Sequence, residues 1–245
     1  MKHKLDYLSI YLKIAPRRVS PFLRAEQTAV SISVENKTIE VEQECSTSGI
    51  SGVVWDCGLL MVDILDSVLH SSLSFPDMKR LVPSKTNKCL DLGCGTGVVG
   101  VACALLGFDD IVLTDGNATE AIKRNIERLG DKKDKCSFVE YKWGNSNGVP
   151  IELTGVSWDV VICSDVLYEK SSHIPLLEVL ESLRFDRMFM TYKRRHDDAE
   201  KGFLTNLCAR YLVEEIDWSI EQNSWIIRQN SKSIDHANIH FFYIT

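Results

Sequence analysis

The sequence has no segment long and apolar enough to cross a membrane. Its longest uncharged apolar run, residues 98–108, is about half as long as the roughly 20 residues that a membrane-spanning helix needs. The N-terminus has no apolar stretch followed by a small-residue cleavage site, so no secretory signal is expected. We therefore expect a protein without a membrane partner that resides in the cytoplasm or the nucleus.

Closely spaced cysteines and an excess of positive charge are also missing. None of the eight cysteines forms a C-x-x-C pair, which argues against a metal site or a disulfide framework and predicts reduced thiols. With 28 Lys and Arg against 34 Asp and Glu, the net charge is −6. This balance lacks the basic field that drives most non-specific binding of nucleic acid.

The remaining composition is typical of one globular domain. The chain has 245 residues, of which 44% are hydrophobic and 25% charged, enough to bury a full core. We expect a monomer with a lead segment (1–27), an N-terminal hairpin and helix packed on the core (28–87), and a main core (88–245).

The N-terminal pattern predicts a β-hairpin followed by a helix. Apolar residues alternate over 30–34 and again over 39–41, with a polar interruption between them, as in paired strands. Residues 46–52 are predicted to form a flexible loop. The apolar spacing over 55–69 predicts a helix.

From Lys88 onward, short apolar runs alternate with helical stretches, which predicts a parallel sheet covered on both faces. Predicted strands cover residues 89–92, 111–114, 137–140, 160–163 and 188–191, and predicted helices cover 98–106, 118–129, 174–183 and 199–210. The last two predicted strands, 213–218 and 239–244, have no helix between them and should pair antiparallel. The ending differs from that of an ordinary dinucleotide-binding fold.

A glycine-rich turn follows the first strand of this sheet. Residues 90–97 read LDLGCGTG; glycines allow a sharp turn and a close approach of the backbone to a ligand, and the following helix offers free N–H groups. A nucleotide-like ligand is expected there. Residues 95–100 also satisfy the G-x-G-x-x-G dinucleotide fingerprint, so the turn alone leaves the ligand open.

Other candidate residues follow neighbouring strands. Asp115 closes the second strand and could accept hydrogen bonds from both ribose hydroxyls, and Trp143 follows the third strand, where adenine could stack unless the ring belongs to the core. Asp165 and Tyr168 follow the fourth strand, at the edge where catalytic groups concentrate. Alternatively, Asp165 caps the next helix and Tyr168 packs on its first turn.

Together these motifs resemble a known family. The Asp91 to Gly95 arrangement, hydrophobic-Asp-hydrophobic-Gly-x-Gly, resembles the S-adenosylmethionine loop of class I, seven-strand methyltransferases. Asp165-Val-Leu-Tyr168 resembles the Asp/Glu-x-x-Tyr/Phe motif of the non-histone protein-lysine methyltransferase group within them. Further matches lie at residues 39–43, 52–56, 142–144 and 191–195, so the resemblance covers about residues 28–245.

The resemblance implies a Rossmann-like α/β fold with a seven-strand sheet and an antiparallel last strand, and methyl transfer to a lysine of a protein substrate. Asp91 would help to hold the amino end of the methionine moiety, while Asp165 and Tyr168 would shape the lysine channel. The implied cofactor contacts are Trp55, Gly93, Cys94, Gly95, Asp115, Trp143 and Ser164. The chain departs from the group at Cys94 (often Ala or Gly), Ser164 (often Ala) and Asp91 (often Glu).

Several alternatives stay open. Related enzymes of this fold methylate histidine or arginine in proteins, nucleic acid or small molecules, although the two prolines of the adenine-methylating Asp/Asn-Pro-Pro-Tyr/Phe motif are missing from residues 164–168. A protein that binds the cofactor without turnover is a further possibility. Substrate choice is expected to depend on residues 1–27, 144–157 and 219–238.

Overall fold

A seven-stranded mixed sheet forms the centre of the structure, a computed structural model. The model describes residues 24–35, 37–70, 88–117, 119–217, 230 and 238–245. The strands are β1 (Ala29–Val34), β2 (Lys37–Glu42), β3 (Lys88–Leu92), β4 (Asp110–Asp115), β5 (Cys136–Glu140), β6 (Ser157–Ser164), β7 (Arg184–Lys193), β8 (Val213–Glu215) and β9 (Ile239–Ile244). The helices are α1 (Cys45–Ser48), α2 (Asp56–His70), α3 (Val98–Leu105), α4 (Glu120–Glu127), α5 (Ile151–Thr154), α6 (His173–Ser182) and α7 (Asp197–Cys208), with 3-10 turns at Gly49–Gly52, Gly130–Lys135 and Lys170–Ser172.

The order of strands in the sheet is β5-β4-β3-β6-β7-β9-β8. Strands β3 to β7 are parallel, whereas β9 runs antiparallel to both β7 and β8. The predicted fold class, with its antiparallel last strand, is therefore confirmed. Among the described residues, no helix has the length and apolar character of a membrane span.

Alternate residues of the central strands enter two hydrophobic cores, one on each face of the sheet. In β3, Cys89 belongs to the core that contains α2 and α3, whereas Leu90 belongs to the core that contains α6. The first core is close-packed at Gly100, where a Cβ atom would lie 2.7 Å from the side chain of Leu113 in β4. This close packing holds α3 against β4.

The β1–β2 hairpin packs on the first core and is tied to the glycine-rich turn through Asn125 of α4. The Asn125 Nδ2 donates to the carbonyls of Glu42 (3.1 Å) and Thr96 (2.9 Å), and its Oδ1 accepts from the Glu42 N–H at 2.7 Å. Asn125 is buried. One side chain therefore joins the hairpin, α4 and the turn.

The structure corrects two predictions for the polypeptide backbone. Residues 46–52 form α1 and a 3-10 turn instead of a flexible loop, because the Glu44 N–H donates to the Gly52 carbonyl (2.8 Å) and closes the segment on itself. The strand predicted at 213–218 ends at Glu215. The predicted lead segment before Arg24 and nearly all of residues 219–238 lie outside the described residues.

Candidate active site

The candidate site residues converge at one edge of the sheet. Strands β5, β4, β3 and β6 are neighbours and parallel, so their carboxyl ends meet there. Trp143, Asp115, Gly93 and Asp165 follow these four strands in that order. This edge is where open α/β sheets bind ligands.

The turn after β3 is held open by backbone hydrogen bonds to β4. The N–H groups of Gly93 and Cys94 donate to the Thr114 carbonyl at 2.8 and 2.9 Å. The Gly95 N–H donates to Asp115 Oδ2 at 2.9 Å. Gly93 has φ +77° and Gly95 has φ +56°, a left-handed conformation that side chains other than glycine's disfavour.

Gly93 also leaves space for Trp143. A Cβ atom at Gly93 would lie 3.0 Å from the Trp143 ring and 3.1 Å from Val166, the residue after Asp165. The turn, the indole and the end of β6 are thus in contact, and Trp143 is only partly buried. An aromatic ring beside the cofactor turn fits the stacking role expected of Trp143.

Replacing Gly93 with alanine is expected to destabilise the fold by about 2–4 kcal/mol, because the left-handed backbone costs roughly 1–2 kcal/mol and overpacking against Trp143 adds a similar amount. Gly148 is a matched control, since it has the same φ of +77° but no atom within 4 Å of a Cβ. Gly148→Ala should show only the backbone cost. Urea unfolding of both variants measures the difference, and equal losses of stability would contradict the contact argument.

Asp115 links the turn to the end of β4. Its Oδ2 accepts from the Gly95 N–H, and its Oδ1 accepts from the Asn117 N–H at 3.0 Å. Burial raises the pKa of the carboxyl, while the backbone N–H groups of Gly95, Asn117 and Gly116 oppose that shift. The carboxylate is therefore fixed in place with lone pairs still free for ribose hydroxyls.

Backbone atoms of the Ser48–Trp55 segment border the same turn. The Ser51 carbonyl lies 3.2 Å from the Cβ position of Gly95, and the Ser48 carbonyl accepts from Asn117 Nδ2 at 3.4 Å. Trp55 Nε1 donates to the Ile50 carbonyl at 2.8 Å. Trp55 is thus bonded to the segment whose Ser51 carbonyl borders the turn, a segment that the sequence predicted to be a flexible loop.

The Asp91 side chain lies in the protein interior, below the glycine-rich turn, and is not exposed where a ligand would approach. Its side chain is fully buried, and Oδ2 accepts from the Gly100 N–H at 2.8 Å. Oδ1 accepts no hydrogen bond from any residue that the structure describes. Burial raises the pKa of Asp91 to about 7, with a smaller contribution from the charge of Asp115.

This raised pKa makes the stability of the fold depend on pH. Folded protein keeps a proton on Asp91 that the unfolded chain, with the ordinary pKa of 3.8, has already lost. The stabilisation is fully present below about pH 4 and is lost as the pH rises through 7. We expect the free energy of unfolding of Asp91→Asn, relative to the wild type, to rise by about 2–3 kcal/mol from pH 5 to pH 8. Urea unfolding across this range checks it; parallel pH curves would contradict it.

Cys94 and Ser164 contribute small side chains to the site. Cys94 is buried, and burial raises the pKa of its thiol well above the ordinary range, so the thiol is not a nucleophile at neutral pH. Ser164 Oγ lies 3.9 Å from the Cβ position of Gly58 in α2.

The described residues include no cluster of side chains arranged to hold a metal ion.

Asp165 forms an ion pair instead of a helix cap. The next helix, α6, begins only at His173, and both Asp165 oxygens bind the Arg195 guanidinium at 2.7 and 2.8 Å. The capping alternative is therefore wrong for Asp165. The sequence placed Arg195 in a stretch that resembles the family, 191–195, but assigned it no role, although its place just after the carboxyl end of β7, the neighbour of β6, is a signal that the strand rule provides.

Tyr168 lies at the surface three residues further on. Its side chain is 36% exposed, while the adjacent Leu167 carbonyl is held by His173 Nε2 at 3.1 Å. The loop that carries Tyr168 is thus anchored to α6. A partly exposed ring three residues after Asp165 is the feature on which the predicted wall of the lysine channel rests.

The residues present fit S-adenosylmethionine. Two buried polar atoms at the turn, Asp91 Oδ1 and Thr96 Oγ1, have no hydrogen-bond partner among the described residues, and the Trp143 ring lies against Gly93. Asp115 offers a carboxylate to ribose. The individual roles of these residues remain predictions.

Fold and site together define a class I methyltransferase that uses S-adenosylmethionine. The fold resembles a proposed SAM-dependent methyltransferase from Streptococcus mutans (TM-score 0.55, 12% identity, 89% of this chain and 55% of that chain). It also resembles a proposed methyltransferase solved with SAH (TM-score 0.54, 10% identity, 89% and 56%). These likenesses support the fold.

Sequence comparison identifies the family. The family model described as lysine methyltransferase matches residues 33–210, so the chain belongs to the lysine methyltransferase family. Protein N-lysine methyltransferase METTL21A from Danio rerio is 25% identical over 203 residues, which cover 82% of this chain and 86% of that protein. EEF1A lysine methyltransferase 3 from Xenopus tropicalis is 24% identical over 171 residues, 69% of each chain.

Proposed function

We propose that this protein transfers a methyl group from S-adenosylmethionine to the side-chain amine of a lysine in a non-histone protein. The observation that carries the proposal is the carboxylate of Asp165, buried beside the cofactor turn and followed by the exposed ring of Tyr168. Family membership and the names of both relatives support a protein lysine as the acceptor.

S-adenosylmethionine supplies a methyl group bonded to a positively charged sulfur, and this sulfur is a good leaving group. The lone pair of the lysine amine forms the new N–C bond, and the electron pair of the breaking C–S bond stays on sulfur. The chain therefore has to align an uncharged amine and exclude competing water. Because lysine in water has a pKa near 10.4, the site must favour loss of its proton to solvent.

The chain's own residues suit this task. In this proposal, Asp165 accepts an N–H hydrogen bond from the amine and thereby orients its lone pair. Tyr168 lines the approach and desolvates the amine, which favours the neutral form. Trp143 and Asp115 hold the two ends of the adenosine group.

The test is to incubate the purified protein with radiolabelled S-adenosylmethionine and a lysate of cells that lack it. We expect labelled protein bands in which mass spectrometry locates methyllysine. Labelled nucleic acid with unlabelled protein would overturn the proposal, and label on histidine or arginine would correct the acceptor. The net charge of −6 supports a protein acceptor over nucleic acid.

The expected monomeric state and the cytoplasmic or nuclear location belong to the same proposal. Light scattering of the purified protein measures the first, and a fluorescent fusion followed in cells measures the second. A stable dimer or a membrane-bound fusion would correct these two expectations without affecting the chemistry.

A further inference from the structure

Asp165 has a tightly specified backbone. Its φ is +58°, a left-handed conformation that is uncommon outside glycine, although aspartate adopts it more often than most residues. The Asp165 N–H donates to the Thr191 carbonyl of β7 at 2.7 Å. The end of β6 is thus fixed from β7, and the carboxylate is directed toward the residues that follow β7.

The Arg195 guanidinium forms a bidentate ion pair with this carboxylate through its two terminal nitrogens. Nη1 lies 2.7 Å from Oδ1 and Nη2 lies 2.8 Å from Oδ2, and both side chains are less than one-tenth exposed. Arg195 is itself held, since Nη1 donates to the Lys193 carbonyl (3.0 Å) and its N–H donates to Glu200 Oε1 (2.8 Å). A bidentate pair of this kind fixes the orientation of a carboxylate as well as its charge.

Other charged and titratable groups face Asp165 from α2 and β7. The Cys57 thiol of α2 lies near the carboxylate and contributes to lowering its pKa, and the Lys193 N–H lies 3.4 Å from Oδ1. Behind them, Asp56 pairs with Arg24 at 2.8 Å and faces Lys193 Nζ at 3.8 Å. Burial raises the pKa of Asp165, but the charge and hydrogen bonds of Arg195 outweigh it, so the pKa lies below its ordinary value.

The pairing has a consequence for a lysine that enters the site. An unpaired carboxylate would stabilise the ammonium form of the lysine, which cannot attack the methyl group, because opposite charges favour the charged state. A carboxylate paired with Arg195 still accepts an N–H hydrogen bond but adds no net negative charge. It is also a poor proton acceptor, so the proton of the amine must leave to water.

We infer that Arg195 is a positioning residue for methyl transfer: it holds the Asp165 carboxylate in one orientation and neutralises its charge, so that the substrate lysine is oriented without being retained as an ammonium ion. The inference rests on the proposed function.

The experiment compares Arg195→Gln and Arg195→Lys with the wild type in a lysine methylation assay from pH 6 to pH 10. We expect kcat at pH 7.5 to fall at least about tenfold in Arg195→Gln and the acid limb of the rate profile to move about one pH unit or more toward alkaline pH. Arg195→Lys, which keeps the charge but lacks the fork, should show a smaller shift. Cofactor affinity by calorimetry should stay within about threefold.

Arg194→Gln is the matched control, because Arg194 is the adjacent residue and its side chain is exposed; it should leave the profile unchanged. If Arg195→Gln does not fold, Arg195→Lys carries the test. An unshifted acid limb in a folded variant would overturn the inference and leave Arg195 a structural residue.

An NMR titration of the Asp165 carboxyl, without any substrate, separates this inference from the proposed function. The midpoint should be higher in Arg195→Lys than in the wild type, and equal midpoints overturn the inference whatever the acceptor is. A wild-type enzyme that methylates no lysine, with a shifted Asp165 midpoint in the variant, would count against the proposed function alone.

Discussion

Replacing Asp165 with asparagine is expected to reduce the rate of methyl transfer to lysine by at least about 100-fold, which is the scale seen when a positioned polar group is removed from a reacting centre. Asparagine keeps the shape of the side chain but loses the charge that pairs with Arg195. Cofactor affinity should change little, because the turn around Gly93 and Gly95 is held by Thr114 and Asp115. Single-turnover methylation and calorimetry measure the two quantities.

Asp186→Asn serves as the control for this variant. Asp186 is exposed in the first half of β7, far along the strand from the edge that carries the site, and its replacement should leave transfer unaffected. Loss of cofactor binding in Asp165→Asn, with a matching loss of rate, would place Asp165 in the cofactor site. Full activity in Asp165→Asn would remove the carboxylate from the reaction.

Much of the fold follows from local sequence patterns. The buried strands β4 and β6 contain continuous apolar runs, at residues 111–113 and 160–163, and parallel strands buried on both faces require such runs. The hairpin could be predicted from alternation alone, because one face of β1 enters the core while the other remains polar. The 46–52 segment could not, since its helical turns depend on a bond between Glu44 and Gly52 in a stretch whose Ser and Gly content is typical of loops.

The site was predictable to the extent that it depends on strand ends. Asp115 and Asp165 could be placed because each residue directly follows a strand with a clear apolar pattern. The same rule points to the residues after β7, but it does not choose between the adjacent Arg194 and Arg195, and it does not show which of them pairs with a carboxylate 30 positions earlier. Only the three-dimensional structure shows that Arg195 turns inward while Arg194 stays exposed.

Asp91 shows a different limit of the sequence reasoning. Family resemblance assigned it to the amino end of the cofactor, but the structure buries it under Gly100. The hydrophobic-Asp-hydrophobic pattern is compatible with either position, because alternate residues of a fully covered strand point to opposite faces and both faces are buried. A role for Asp91 in cofactor binding therefore remains a prediction.

Replacing Asp115 with alanine is expected to weaken S-adenosylmethionine binding by about 100-fold or more. Two hydrogen bonds to a charged group contribute roughly 1.5–3 kcal/mol each, and 1.4 kcal/mol corresponds to a factor of ten. The same carboxylate also holds the Gly95 N–H, so the variant loses the ribose contacts and loosens the turn. Calorimetry with S-adenosylmethionine measures the change.

Asp110→Ala provides the comparison, since Asp110 lies at the opposite end of β4 with an exposed side chain paired to Lys88. Its replacement should leave cofactor affinity unchanged, because exposed ion pairs contribute little and the amino end of the strand is remote from the turn. Unchanged affinity in Asp115→Ala would show the ribose assignment to be wrong. A 100-fold loss in Asp115→Ala with normal affinity in Asp110→Ala would place the nucleoside at the carboxyl edge of β4. Strand β3 separates this edge from the β6 edge that carries Asp165, and the two carboxylates would then separate cofactor binding from methyl transfer.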